Sequence, residues 1–252
     1  MAFLDDDDLW APTKLMMQLA AAEAGGRGWS YAGAVNVSED LRLLGGVPPA
    51  DPSTVVAELP RSNLVPGGCS GVAVRRDLLS SNPFDPSYRH LADWDLWIRL
   101  SQLDQPVAVL DPLVGYRVHS SNASLDTAGM VGELDEIERR YGPVDRAGFY
   151  RHVARVSLRV SWFRAAVRYL YHAAATDRDY RRTEFVPDVY EVAQEAARSV
   201  RQRLSRTVLR RRVDLTPPHR KRYAAHRPWI EKARPWIDAL KPYRDHVRPA
   251  DA

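Results

Sequence analysis

The chain has 252 residues, 45% of them apolar, and a formal net charge of +4. That length and apolar content suit one large domain, or a medium domain with an appendage, and exclude global disorder. A single cysteine, Cys69, excludes an intramolecular disulfide framework and a thiolate zinc cage. The opening Met-Ala-Phe-Leu, followed by four aspartates, is neither a signal peptide nor a spanning helix.

These features predict a soluble or peripheral intracellular protein. The charge is unevenly spread: residues 1–128, 129–175 and 176–252 sum to −7, +3 and +8. An acidic first half and a basic tail predict different partners, a metal with its substrate for one and an anionic surface for the other.

In chain order, residues 2–4 read as a buried strand opening into a carboxylate-bearing loop, Asp5 to Asp8. Pro12 starts a helix over 13–24 with an apolar stripe of Leu15, Met16, Leu19 and Ala22, and Gly25-Gly26 ends it. Trp29 to Val37 reads as a strand, 45–68 as one long loop, and Ser70 to Val74 as a short buried strand. Asp93 to Leu103 reads as a helix with Trp94, Trp97, Ile98 and Leu100 on its buried side. Two short strands, 107–110 and 113–118, flank Asp111-Pro112. This order predicts an α/β layer, not a bundle.

The remainder reads as mainly helical. Phe149, Val153, Val156, Val160, Phe163, Val167, Leu170 and Ala174 are spaced as one long amphipathic helix, and Pro187 to Arg212 as another. Prolines 217, 218, 228, 235, 242 and 249 cut the tail into pieces expected to bury little. Trp229 and Trp236, in a repeated Pro-Trp-Ile, read as docking anchors or as poorly ordered tail. The predicted organisation is 1–128, a helical extension over 129–175, and a basic tail over 176–252.

Four adjacent aspartates repel one another and raise one another's pKa unless a cation neutralises them. Mg²⁺ or Mn²⁺ accepts a few carboxylate oxygens and leaves positions for phosphate, so the run points to a cation site, against the plain reading of a solvated acidic loop. Asp93 and Asp95 open a Trp-rich helix whose dipole favours their ionised form, the plain reading there being an N-cap. His119 follows a strand and reads by itself as a structural histidine.

Together FLDDDDLWAPTKL (3–15), GGCSGVAVRRDLL (67–79), FDPSYRHLADWDLWIRL (84–100) and GYRVHSSNAS (115–124) resemble, in order and spacing, the second half of the family 2 glycosyltransferases of GT-A fold. The resemblance implies a partial GT-A sheet with helices and an inverting, metal-dependent transfer of sugar from a nucleotide diphosphate donor to an acceptor hydroxyl. It implies Asp93 as catalytic base, although Ala92 stands where the family usually has glutamate. It puts the metal on Asp5 and Asp7, Asp7 foremost, with His119 in reach, and the donor on Asp6 and Asp8. Gly68, Ser70, Gly71, Trp94 and Asp95 fall on the acceptor side. The implied partners are a nucleotide-sugar and a saccharide, lipid-linked or protein acceptor, in the cytoplasm or at the inner face of the plasma membrane.

Family members carry a nucleotide-binding strand-helix-strand unit before the aspartate motif, so an upstream unit of about a hundred residues is expected. Without it, poor donor binding and an exposed apolar edge are expected. The competing reading is a non-catalytic scaffold whose basic helical tail binds an anionic membrane surface or a protein. No zinc finger, helix-turn-helix or RNA-binding signature supports specific nucleic-acid binding.

Overall fold

A computed structural model describes residues 1–118, 126–159, 161–209 and 226–246, without the side chains of residues 47, 159, 201–209 and 244–246. Among them five strands form one mixed sheet: β1 (Leu9–Trp10), β2 (Trp29–Ser38), β3 (Leu43–Val47), β4 (Val72–Val74) and β5 (Val107–Val118). β2 is central because it can be buried on both sides: Tyr31, Ala32, Val35 and Val37 are all inaccessible. It runs parallel to β5 and antiparallel to β4 at its start and β3 at its end, and β1 lies antiparallel on β5. The helices are α1 (Lys14–Gly25), α2 (Pro52–Glu58), α3 (Arg76–Ser81), α4 (Ala92–Leu103), α5 (Thr127–Tyr141), α6 (Arg146–Arg159), α7 (Phe163–Thr176), α8 (Arg178–Thr183), α9 (Phe185–Leu209) and α10 (Arg234–Leu240). The chain is therefore α/β and predominantly helical, and no described helix is long and apolar enough to cross a membrane.

Contacts divide the chain into two units, Met1–His119 with Ala128–Pro143 and Lys221–Ala252, and Ser120–Thr127 with Val144–Arg220. These differ from the three segments drawn from the sequence, because α5 and the stretch 226–246 belong with the sheet.

Several elements differ from expectation for identifiable reasons. The strand at 2–4 is reduced to a single bridge, Ala2 on Ala73, and Leu4 is exposed. The loop over 45–68 contains β3 and α2. Asp51 caps α2, accepting from the amides of Ser53 at 3.0 Å and Thr54 at 3.1 Å, with Pro52 in the first turn. The long helix through 149–174 is two helices. Ser161 takes a left-handed φ of 62°, its amide bonds Leu158 O at 3.0 Å, and the Trp162 amide bonds Ser157 O at 2.9 Å. That pair of bonds is a Schellman stop, with serine where glycine is usual.

The helix α1 is the largest surprise. Its expected apolar stripe faces outward, with Leu15, Met16 and Leu19 exposed, while Lys14 and Gln18 are inaccessible. Gln18 is drawn inward because its amide nitrogen donates to two carbonyls, Ser30 O at 3.3 Å and Gly71 O at 3.0 Å. Lys14 lies 4.1 Å over the Trp10 ring, and its ammonium makes no hydrogen bond among the described residues. Burial lowers its pKa to about 8.

β5 is one strand, not two. Ala32 faces Val109 but Gly33 faces Pro112, so Leu110 and Asp111 are extra residues that bulge from the ladder. The returning segment 226–246 repairs this break. Trp229 Nε1 donates to Leu110 O at 2.6 Å, Trp236 Nε1 donates to Pro112 O at 3.2 Å, and Lys232 pairs with Asp111 at 3.2 Å. Ile230, Ala233 and Ile237 complete a core cluster with Leu9, Val35 and Val37. The glycines beneath leave room for the rings: a Cβ on Gly33 would sit 2.4 Å from Trp229. The tail therefore buries far more than its prolines suggest, and both tryptophans are anchored on the protein's own sheet.

Candidate functional site

The aspartate run lies between Ala2, which bridges to β4, and β1. Its neighbour in space is the 3-10 turn Gly68–Gly71. The Asp5 amide donates to Ser70 Oγ at 3.0 Å, and Trp10 Nε1 donates to Ser70 O at 2.9 Å. The fully buried Ser70 is thus the pin joining the two segments. Only glycine fits that turn: Gly67 and Gly68 have φ of 73° and 53°, and a Cβ on Gly71 would lie 2.1 Å from Pro66 O. The Cβ position of Gly68 is 3.7 Å from Asp93 Oδ2, so the turn brings the run and the start of α4 to one place.

Five carboxyls, Asp5 to Asp8 and Asp93, feel one another there. Asp5 stands at the surface, yet the protein around its carboxyl, then Asp7 and Asp6, hold it above the ordinary range against the Ser70 hydroxyl. Asp8 is buried and accepts from the Arg117 amide at 3.1 Å. Burial pushes it up to about 7, against the pull of Ser70 and that amide. Asp93 is pushed up to about 6, first by burial and also by Asp5, while the Trp94 amide and the Asn63 side chain pull it down. Cys69 sits among Asp93, Asp5 and Asp8. Burial and those charges push its thiol well above the usual range, so it is a protonated, inert thiol rather than a nucleophile.

Asp93 does not cap its helix. Leu91 occupies the N-cap and offers no side-chain bond. From α5, Glu133 holds the backbone just ahead of the helix: its Oε1 accepts from the amide of Arg89 at 2.8 Å and its Oε2 from His90 at 2.9 Å and Leu91 at 2.8 Å. The Asp93 carboxylate, with one oxygen on the Trp94 amide at 2.7 Å, faces the glycine turn instead.

The structure brings together Asp5, Asp93, Gly68, Ser70 and Gly71 from the expected set. Asp8 is turned inward and buried. Two more residues of that set are packed into the interior. Trp94 is buried and donates to Leu59 O at 2.7 Å; Asp95 is inaccessible, accepting from Arg99 Nε at 2.9 Å and Tyr141 OH at 2.5 Å. Both are packing groups, because adjacent positions at a helix start point to different faces. Asp6 is exposed, Asp7 half-buried, and His119 lies outside the described residues. Sequence reasoning missed Cys69, Asn63 and Glu133. Only the glycines flanking Cys69 carried a signal, while Asn63 and Glu133 act through the tertiary fold alone.

Among the described residues no three His, Cys, Asp or Glu side chains stand close enough to hold a metal ion as they are. The donor chemistry still fits a hard cation, since Asp5, Asp6 and Asp7 crowd one another and nothing else described neutralises Asp5. The arrangement offers a carboxylate base of raised pKa, a glycine turn that a hydroxyl-bearing ligand can approach closely, and an acidic loop suited to a cation. No protein-family model matches the sequence, and no curated protein shows significant similarity to it.

Proposed function

We propose that this chain forms the cation-binding and base-bearing part of an inverting glycosyltransferase on a partial GT-A sheet, moving a sugar from a nucleotide diphosphate donor to an acceptor hydroxyl. One observation carries this reading: Asp93 and Asp5, on separate segments, come together at a turn with glycine at its left-handed positions, and the second Asp93 oxygen is turned towards that turn. The four motifs that resemble family 2 enzymes lend it support.

Asp93 takes the proton from the acceptor hydroxyl as that oxygen attacks the anomeric carbon. With a pKa near 6 it is ionised at neutral pH yet more basic than an ordinary aspartate, which favours the transfer. A single in-line displacement inverts the anomeric centre. Gly68 lines the acceptor's approach, and the buried Ser70 and Gly71 hold the turn behind it. Asp5 and Asp7, with His119, would hold Mg²⁺ or Mn²⁺, which when bound supplies positive charge to the leaving diphosphate. Asp6, exposed beside them, faces the donor. The acceptor is a saccharide, a lipid-linked or a protein hydroxyl, and the setting is the cytoplasm or the inner face of the plasma membrane.

The test is calorimetric titration of the protein with nucleotide-sugars, with and without Mn²⁺. Cation-dependent donor affinity that is lost in Asp7→Asn is the expected result. No affinity for any activated sugar overturns the reading.

A further inference from the structure

The helix α9 has two apolar faces. One packs within its own unit, where Val192 is 4% exposed and Phe185 meets the Tyr171 ring edge-on at 4.9 Å. The other has no cover among the described residues: Val186, Tyr190 and Val200 are 71%, 64% and 56% exposed, and Ala193 and Ala197 are exposed between them. The steps from 186 to 200 alternate four and three, the spacing of a helix-helix seam. Solvent alone gives no reason for that regularity.

We propose that this outer face pairs with the same face of a second copy of the chain, the two α9 helices antiparallel about a twofold axis between Ala193 and Ala197. Two independent features select this occupant and this direction. The seam is symmetric in size about its centre. Antiparallel pairing sets Ala193 against Ala197 of the second copy, where helices can approach closely, and Tyr190 against its Val200. In the sequence, Val186 and Leu204 follow as the next pair. A parallel arrangement would instead stack tyrosine on tyrosine and valine on valine, layers of unequal width.

The charges give the second feature. From Phe185 to Ala197 the helix has three acids and no base, and from Arg198 to Leu209 four arginines and no acid. The helix dipole accounts for such sorting only in the terminal turns. Antiparallel pairing lays each acidic half along a basic half, whereas parallel pairing opposes like charges throughout. An anionic bilayer suits the seam poorly, since its first half is flanked by Asp188, Glu191 and Glu195. An isologous contact of this kind closes on itself as a dimer.

Sedimentation equilibrium of the whole chain should show a dimer, with Tyr190→Glu and Val200→Glu each raising the dissociation constant by about 30-fold or more without loss of helical circular dichroism. Direction is read in a Cys69→Ser background by mixing a tagged Ala193→Cys chain with an untagged Ala197→Cys chain under mild oxidation. The mixed disulfide should exceed both homodisulfides. A monomer at all concentrations up to about 100 μM, a dimer that survives both glutamate variants, or predominant homodisulfides overturns the proposal. So does a monomer whose sedimentation with anionic vesicles depends on Tyr190.

Discussion

The sheet is disturbed in two places, and the molecule treats them in opposite ways. At Leu110–Pro112 the ladder of β5 bulges, and three acceptors there are each met by a donor from the returning segment: the Leu110 carbonyl by Trp229, the Asp111 carboxylate by Lys232 and the Pro112 carbonyl by Trp236. At Asp5–Asp8, next to the Gly68–Gly71 turn, the carboxyls are instead left pressing on one another and on Asp93, each raised above its ordinary value where a shift is seen. The first break is met within the fold, and the second is the place where the proposed function puts a ligand.

The largest expected effect separates the two sites by chemistry. Asp93→Asn should lower transfer by about 10²–10⁴-fold, measured as turnover, with donor affinity retained, because it removes the base and little else. The rate of the unaltered protein should rise with pH through about 6 and then level off, since only ionised Asp93 accepts the proton. Equal turnover in the variant would break the contrast. The repaired site should respond in stability alone: Ile237→Ala, at a position 1% exposed, should cost about 2–5 kcal/mol in denaturant unfolding and leave the pKa values near Asp93 in place.

The pH dependence of stability sharpens the same contrast. Asp8 is raised in the folded state to about 7, so its stabilising protonation is fully present below the unfolded value of 3.8 and fades as pH rises through 7. Lys14 is lowered to about 8, so the folded state is penalised below 8 and recovers as pH rises towards 10.5. Without divalent cation the fold should therefore be least stable between about pH 7 and 8, by on the order of 3–4 kcal/mol for each group. Asp8→Asn should remove the acid-side slope, and Lys14→Met the alkaline one. The smallest effect concerns the break at Ser161, where glycine should stabilise by about 1 kcal/mol in thermal unfolding, because a left-handed φ costs it nothing.

The readable parts of the sequence were those with a local cause. The helix from 92 to 103, the strand from 29 to 38 and the encounter of the aspartate run with the glycine turn follow from periodicity and motif order. The orientation of α1 does not, because two carbonyls elsewhere in the fold, on Ser30 and Gly71, reverse what Leu15, Met16 and Leu19 suggest. The tail misleads for a related reason. Its prolines report poor local order, whereas Trp229 and Trp236 find their partners on a strand well over a hundred residues away. Glu133 is similar, an ordinary surface acid in sequence that holds the backbone ahead of Asp93.

That distance has a consequence in time. Trp229 follows the carbonyl it satisfies by 119 residues, so at about 5–20 residues per second the bulged strand emerges roughly 6–24 seconds before its indole. Throughout that interval the apolar surface of Leu9, Val35 and Val37 waits uncovered in a nascent chain whose later helices are already folding from local contacts. Ribosomal pausing or chaperone capture would therefore act on the sheet, and the arrival of the segment 226–246 would be the signal that releases it.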